Sequence, residues 1–279
     1  MKISFATLGC PEWDLETICR RAVEYGYDGI DLRGYLDTLD ITQCPEFTSE
    51  VAQTRRMLAQ AGLAVSGISS SIHLCVPEDL DQNLAEARRT IQVAHDLGVE
   101  NIRVFGGGDL ERYSRHDLVR FAQECMSRIL ELAGGSSLKW LFETHDHWIH
   151  SNDCRLLLEG VAHPAFGALW DIGHTPRVAG ETPEETYAAI GAWIGYTHIK
   201  DAVYDPEHPL AMEDGWYYVF PGRGQVPLEG AVRLLHQNGY TGWLQFEHEK
   251  RWHPQLPEPE DAFPAYSKWI KPILTSLNQ

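Results

Sequence analysis

The sequence has little of what marks a membrane, secreted or disulfide-rich protein. No apolar run approaches the roughly 18 residues that a membrane span requires, and the N-terminal MKISFATLG leads into a predicted strand rather than a signal peptide. Six cysteines are scattered without a C-x-x-C pair, which favours reduced thiols over disulfides or a thiolate metal site. We therefore expect a soluble cytoplasmic protein with no membrane partner.

Positive charge is also scarce, with 23 Lys and Arg against 40 Asp and Glu and a formal net charge of −17. Nucleic-acid binding normally depends on a basic surface that releases counterions from phosphate. We therefore expect no nucleic-acid partner.

Apolar residues, in contrast, make up 43% of the 279 residues, which is ample material for a globular core.

A unit consisting of a short apolar run, a turn and a longer amphipathic stretch recurs along the whole chain. Eight runs are predicted strands: Ile3–Leu8, Gly29–Leu32, Ala64–Ser69, Ile102–Phe105, Leu138–Glu143, Gly167–Asp171, Gly195–Lys200 and Trp243–Glu247. Four intervening stretches have helical periodicity and end near a glycine: Trp13–Tyr25, Thr48–Ala61, Leu80–Leu97 and His116–Leu132. Alternating strands and helices predict a parallel sheet with right-handed crossovers.

Eight such units fit a closed barrel better than an open doubly wound sheet, and the first turn has no glycine-rich phosphate fingerprint. We predict an α/β protein, a (β/α)8 TIM barrel, with residues 1–279 forming one domain. Two segments lie outside the repeated pattern. Residues Ala202–Pro227 are predicted to form a long functional loop, and the proline-rich Pro254–Pro264 is predicted to form an irregular tail before a last helix.

Four predicted strands end in an acid or an imidazole: Glu143, Asp171, His198 and Glu247. The carboxyl ends of barrel strands meet at one rim, and side-chain alternation allows one inward ligand per strand. Three carboxylates and an imidazole suit Mn²⁺, Mg²⁺, Co²⁺ or Zn²⁺. The alternative for each acid is a helix cap, but four at one rim predict a site for one divalent ion.

The motifs around these residues resemble those of the xylose isomerase-like TIM barrel superfamily of sugar-phosphate isomerases and epimerases. They are Glu143-Thr-His145, Asp171-Ile-Gly-His174, His198-Ile-Lys-Asp201 and Phe246-Glu-His-Glu249, and the resemblance covers most of the chain. It implies that Glu143, Asp171, His198 and Glu247 hold one metal ion. It also implies that Glu143 and Glu247 are catalytic and exchange protons with the carbons beside a carbonyl.

His174 and Arg223 are the leading substrate-binding candidates. The resemblance implies that His174 contacts a substrate oxygen or a second metal, and its alternative is a polar residue that starts a helix. Arg223 is the best cation in the long loop for a hydroxyl, carboxylate or phosphate, and its alternative is a solvated side chain.

Three further residues are candidates for the pocket: Lys200, His145 and His73. Lys200 shares the strand face of His198, although it could instead pair with Asp201 or Glu247. The aromatic residues Trp148, Trp216, Tyr217 and Tyr218 suggest either a substrate contact or an oligomer interface.

The expected function is that of a metal-dependent isomerase or epimerase of a small carbohydrate-like substrate: a keto-sugar, a polyol-derived ketone or a hydroxy-keto acid. The alternative is a dehydratase similar to inosose or dehydroshikimate dehydratases, which begin with the same proton abstraction. A non-catalytic binding barrel is a third class. An apurinic-site endonuclease is disfavoured because strand four ends in Phe105-Gly-Gly-Gly108 without a histidine. Assembly into a homo-oligomer stays open.

Overall fold

The computed structural model describes residues 1–277, and within them eight parallel strands close into a barrel surrounded by helices. The barrel strands are β1 (Lys2–Ala6), β2 (Gly29–Leu32), β3 (Ala64–His73), β4 (Asn101–Phe105), β5 (Lys139–Glu143), β6 (Phe166–Asp171), β7 (Ile194–Ile199) and β10 (Trp243–Phe246). The chain order is also the spatial order, and β10 pairs with β1 to close the barrel. The predicted (β/α)8 TIM barrel is confirmed, and all eight predicted strands are present.

Nine α-helices lie in the described part of the chain: α1 (Leu15–Tyr25), α2 (Val51–Ala61), α3 (Leu80–Leu97), α4 (Arg115–Leu130), α5 (Ser151–Val161), α6 (His174–Val178), α7 (Pro183–Ile190), α8 (Leu228–Gln237) and α9 (Pro259–Leu277). The four helices predicted from periodicity are confirmed. Three end at a left-handed glycine, at Gly26, Gly62 and Gly98. The fourth, α4, ends before Gly134 is reached.

Two segments differ from the prediction. Within the expected loop, β8 (Asp201–Tyr204) and β9 (Trp216–Val219) form an antiparallel hairpin, because the aromatic and β-branched residues of β9 favour a strand. The expected proline-rich tail is partly helical, since α9 starts at Pro259 and contains Pro264. Proline is well tolerated in a first helical turn. Buried neighbours such as Phe263 hold the helix in place although Pro264 lacks a backbone donor.

The main hydrophobic core lies between the outer face of the barrel and the helices, and Trp140 and Phe142 belong to it. Their neighbour Leu141 instead packs inside the barrel against Leu169 and Tyr196. Strand alternation therefore directs Leu141, and with it every second side chain of β5, into the barrel interior. Within residues 1–277, no helix is both long enough and apolar enough to cross a membrane.

Candidate metal centre

Four potential metal ligands converge at the carboxyl-terminal mouth of the barrel. Glu143 ends β5, Asp171 ends β6, His198 lies near the end of β7, and Glu247 directly follows β10. Each offers one ligand atom, and these four atoms all lie within 4.8 Å of one another. Neighbouring strands place them in register, with Asp171 opposite His198. The sequence singled out these four residues, and the fold brings them together.

His198 lies between two of the carboxylates. Its Nδ1 atom is 3.2 Å from Oε1 of Glu143 and 3.2 Å from Oε1 of Glu247. Burial opposes the charged imidazole, but Glu247 and Glu143 raise the pKa of His198 well above its usual range. Burial likewise opposes ionised Glu143, whereas His198 and Arg103 lower its pKa to about 2. Burial also opposes charge on Glu247, but His198 and Lys200 lower its pKa well below its usual range. The two glutamates are therefore ionised at neutral pH and attract positive charge.

The cluster has the chemistry that a divalent cation requires. Oδ2 of Asp171 is fully buried and accepts no hydrogen bond from the described residues. Burial raises the pKa of Asp171 to about 6, with Lys200 opposing and Glu247 and Glu143 adding to the increase. Three oxygen ligands and one nitrogen ligand match hard or borderline divalent ions, so these residues fit a metal ion.

Lys200 points into the same mouth. Its Nζ atom donates to Oε2 of Glu247 at 2.7 Å and to Oε1 of Glu249 at 2.8 Å. Oδ2 of Asp171 is also 2.8 Å away, although the angles are not those of a hydrogen bond. Of the two partners considered from the sequence, Lys200 pairs with Glu247. Asp201 binds backbone N–H groups instead.

His174 is the first residue of α6 and also contacts the cluster. Its Nδ1 atom donates to the Thr144 carbonyl at 3.0 Å and lies 3.2 Å from Oδ2 of Asp171. A carbonyl can only accept, so the proton is assigned to Nδ1. Burial lowers the pKa of His174 well below its usual range. The ring is therefore neutral, and its Nε2 lone pair is available to accept a hydrogen bond.

The candidates His73 and His145 belong to one wall of neighbouring rings, of which only His73 and Phe105 are stacked. The centroid of Phe105 lies 5.0 Å from that of His73 and 5.0 Å from that of His145. The wall continues from His145 to His174 at 4.9 Å. Burial opposes charge on His145, but its 2.6 Å hydrogen bond to Asp146 raises its pKa.

Arg223 does not join the cluster. It is exposed and lines a separate cleft with Glu260, Asp261 and Trp269. The physical reason is the carboxylate of Asp201, which binds the N–H groups on both sides of Arg223 and fixes the turn.

The predicted role of Trp148 as a surface contact is wrong. Trp148 is fully buried, and its Nε1 donates to the Gly107 carbonyl at 2.8 Å. In contrast, Tyr218 lies beside the mouth and donates from its hydroxyl to Glu249 at 3.0 Å.

Sequence reasoning missed two arginines at the mouth, Arg33 and Arg103. Both are buried, and Nε of Arg103 lies 3.4 Å from Oε2 of Glu143. The strand NIRVF carries a signal that could have identified Arg103. It is the one charged residue of this otherwise largely apolar strand, and it lies on the same strand face as Phe105. Glu249, which accepts hydrogen bonds from Lys200 and Tyr218, is a further residue of the mouth that the sequence did not predict.

A family model described as xylose isomerase-like TIM barrel matches residues 19–273. None of the curated proteins matches the chain.

Several solved structures share the fold. The probable 3-DHS dehydratase AsbF from Bacillus anthracis is 18% identical, with a TM-score of 0.78 over 97% of this chain and 98% of that chain. The IOLI protein with a binding zinc atom is 18% identical, with a TM-score of 0.78 over 99% of each chain. The 3-keto-D-glucoside 4-epimerase YcjR from E. coli is 15% identical, with a TM-score of 0.73 over 99% of each chain.

Proposed function

Because the chain belongs to the xylose isomerase-like TIM barrel family, we propose that it is a divalent-metal-dependent isomerase or epimerase. Its substrate is a small keto-sugar, a polyol-derived ketone or a hydroxy-keto acid. The observation that carries the proposal is the group of four ligand atoms within 4.8 Å at the barrel mouth, two of them from ionised glutamates beside one histidine.

The four residues that would hold the ion are Glu143, Asp171, His198 and Glu247. Mn²⁺, Mg²⁺, Co²⁺ and Zn²⁺ all suit this donor set. Zinc has support from the zinc atom named for the similar IOLI protein. A divalent ion held there would act as a Lewis acid toward a substrate carbonyl and make the neighbouring C–H group more acidic.

Glu143 and Glu247 are the proposed proton carriers. Both are ionised at neutral pH because, although burial opposes charge, the neighbouring His198 lowers the pKa of each carboxyl. One carboxylate removes the proton from the carbon beside the carbonyl and later releases it to solvent, and the other returns a proton that it has first taken from solvent. Return at the former carbonyl carbon, with transfer of a proton between the two substrate oxygens, is isomerisation. Return at the opposite face of the same carbon is epimerisation.

Neutral His174 is proposed to orient the substrate, since its Nε2 lone pair can accept a hydrogen bond from a hydroxyl. Lys200 is a donor at the same mouth, and His145 and His73 are proposed to line one side of the pocket.

A dehydratase is the second candidate, supported by the similarity to the structure described as a probable 3-DHS dehydratase. Both reactions begin with the same proton removal. In the dehydratase, a hydroxyl then leaves from the next carbon with a proton as water. Product analysis separates the two, because only the dehydratase yields an unsaturated product.

The proposal is tested with the variants Glu143→Gln and Glu247→Gln. Protein loaded with Mn²⁺ is incubated in heavy water with ketoses, inososes and hydroxy-keto acids, and hydrogen exchange and product formation are followed by NMR. Each variant should keep the fold and part of its metal, since an amide oxygen can still coordinate. Turnover should fall by about 10²–10⁴-fold, because glutamine cannot accept the proton.

Glu181→Gln is the matched control, since Glu181 is a hydrogen-bonded glutamate outside the cluster. The variant that lacks the deprotonating glutamate should block exchange, whereas the other should allow exchange without product. Normal turnover in both cluster variants would refute the two-carboxylate mechanism. Undiminished metal content after Asp171→Ala would count against the metal site.

A further inference from the structure

Arg103 is a buried cation, and two of its guanidinium nitrogens find no hydrogen-bond acceptor within residues 1–277. Arg103 lies opposite Leu141 in the parallel ladder, and Leu141 faces the barrel interior. The Arg103 side chain is 4% exposed, and its Nε and Nη1 atoms are fully buried without a partner among the described residues. Its guanidinium carbon lies 3.8 Å from the centroid of Phe105. Oε2 of Glu143 lies 3.4 Å from Nε but does not accept a hydrogen bond from it.

Such an arrangement is costly for the protein alone. A guanidinium carries five N–H donors and stays charged in proteins. Each buried donor left without an acceptor costs about 1–3 kcal/mol, and more when it is charged. Buried polar groups without partners are uncommon. We therefore expect the Arg103 side chain to bind an acceptor that is not part of the described chain.

Arg33 is a second buried cation, and its hydrogen bonds to described residues also involve no anion. Arg33 follows β2, and its Nη1 donates only to neutral acceptors, the Ser69 carbonyl at 3.3 Å and the Ser71 hydroxyl at 2.8 Å. Burial, and then the charge of Arg103, lower the pKa of Arg33 to about 9. Within residues 1–277, Glu143 is the only carboxylate that forms an ion pair with either arginine, and Glu143 also contacts His198.

We propose that Arg103, supported by Arg33, binds the carboxylate of the substrate, which is therefore a hydroxy-keto acid. This inference rests on the proposed function, because it selects the acid among the three substrate types given there. A planar carboxylate matches the guanidinium fork and can bind two N–H groups at once. A neutral ketone would offer the buried N–H donors of Arg103 no anionic acceptor.

The site favours a carboxylate over a phosphate. A carboxylate brings one negative charge, whereas a phosphate ester brings close to two at neutral pH. The second charge would lie near the carboxylate of Glu143, which is only 3.4 Å from Arg103. The bound carboxylate is thus placed next to one proposed proton carrier, with the reacting carbons within reach of it.

The inference is tested by calorimetric titration of metal-free and Mn²⁺-loaded protein with three matched sets of unreactive compounds. They are glycerate, glycerol and glycerol 3-phosphate; erythronate, erythritol and erythritol 4-phosphate; and gluconate, glucitol and glucitol 6-phosphate. In at least one set, the acid should bind at least about tenfold more tightly than both the neutral and the phosphorylated member, a difference of about 1.4 kcal/mol.

Arg103→Met should abolish this preference, and Arg103→Lys, which keeps the charge but loses the fork, should retain part of it. Arg89→Met is the matched control, because the Arg89 guanidinium already binds Asp40 and Thr42, and its preference for the acid should be unchanged. If Arg103→Met folds poorly, the inference is still tested by the unmodified protein, because its preference among the acid, neutral and phosphorylated compounds is measured without any variant.

Three results would overturn the inference: no preference for the acid in any set, an unchanged preference in Arg103→Met, or tightest binding of the phosphorylated member. Failure of the proposed function is distinguishable. Protein that binds Mn²⁺ but shows no preference for acids refutes only the carboxylate site. Protein that prefers acids but binds no divalent metal refutes only the proposed metal-dependent function.

Discussion

At the scale of single residues, buried ion pairs fix the side chains at the mouth of the barrel. The Lys200 ammonium lies within 2.8 Å of carboxylate oxygens from Asp171, Glu247 and Glu249. Burial opposes its charge, but these three acids raise the pKa of Lys200 well above its usual range. Removing one partner of a buried ion pair is costly, because the remaining charge stays buried and uncompensated.

We expect Lys200→Met to lower the free energy of unfolding of metal-free protein by about 3 kcal/mol. The loss should be smaller with saturating Mn²⁺, because a bound cation would compensate Asp171 and Glu247. Urea unfolding with and without metal measures both values. Lys139→Met is the control, since Lys139 is 57% exposed beside Glu100, and its loss should stay below about 0.5 kcal/mol. Equal losses with and without Mn²⁺ would contradict the expected compensation.

At the scale of elements, the segment after β7 is held by one carboxylate. Asp201 accepts hydrogen bonds from four backbone N–H groups, those of Ala202, Gly222, Gly224 and Val226, at 2.8–3.2 Å. Gly224 must lack a side chain, because a Cβ atom there would lie 2.0 Å from Oδ1 of Asp201. This network sets the direction of the β8–β9 hairpin, which carries Tyr218 to the mouth.

We expect Asp201→Ala to leave these donors without a partner and to lower the free energy of unfolding by at least about 3 kcal/mol, since even one hydrogen bond to a charged group contributes about 1.5–3 kcal/mol. Hydrogen exchange followed by mass spectrometry should show faster exchange in β8 and β9, with β5 and β6 unchanged. Asp37→Ala, at an exposed position, is the control. Unchanged exchange in the hairpin would show that other contacts hold it.

At the scale of the whole molecule, closure of the barrel places all six cysteines in the interior, unpaired. Burial raises the pKa of Cys19 to about 11 and that of Cys125 to about 11. The thiolate is the reactive form, so a higher pKa means less reactive thiol at a given pH. At pH 8, a thiol with a pKa of about 11 is ~0.1% ionised, against roughly a quarter for an ordinary thiol.

Folded protein should therefore react slowly with iodoacetamide at pH 8, and protein in denaturant should react rapidly at all six cysteines. Mass spectrometry of the labelled protein counts the modified thiols. Rapid modification of any cysteine in the folded protein would show that its region opens locally. Complete labelling in denaturant without a reductant is also expected, because the thiols are unpaired.

The sequence by itself determined the periodic elements and the four potential ligands. Apolar periodicity and glycine stops are local signals, so they located eight strands and four helices within a few residues. The count of eight strand–helix units indicated a closed barrel. The two-residue alternation of a strand placed Leu141 and Glu143 on the inner face of that barrel. These inferences need no knowledge of which distant residues touch.

The tertiary structure alone decided the contacts between residues far apart in the chain. It turned Arg223 outward, because Asp201 binds the backbone on both sides of it. It set Lys200 against Glu249. It also placed Arg103 beside Glu143 with two guanidinium nitrogens that have no acceptor in the described part of the chain. The physical reason is that burial and charge pairing depend on where closure of the barrel brings side chains from different strands, and no local pattern encodes that proximity.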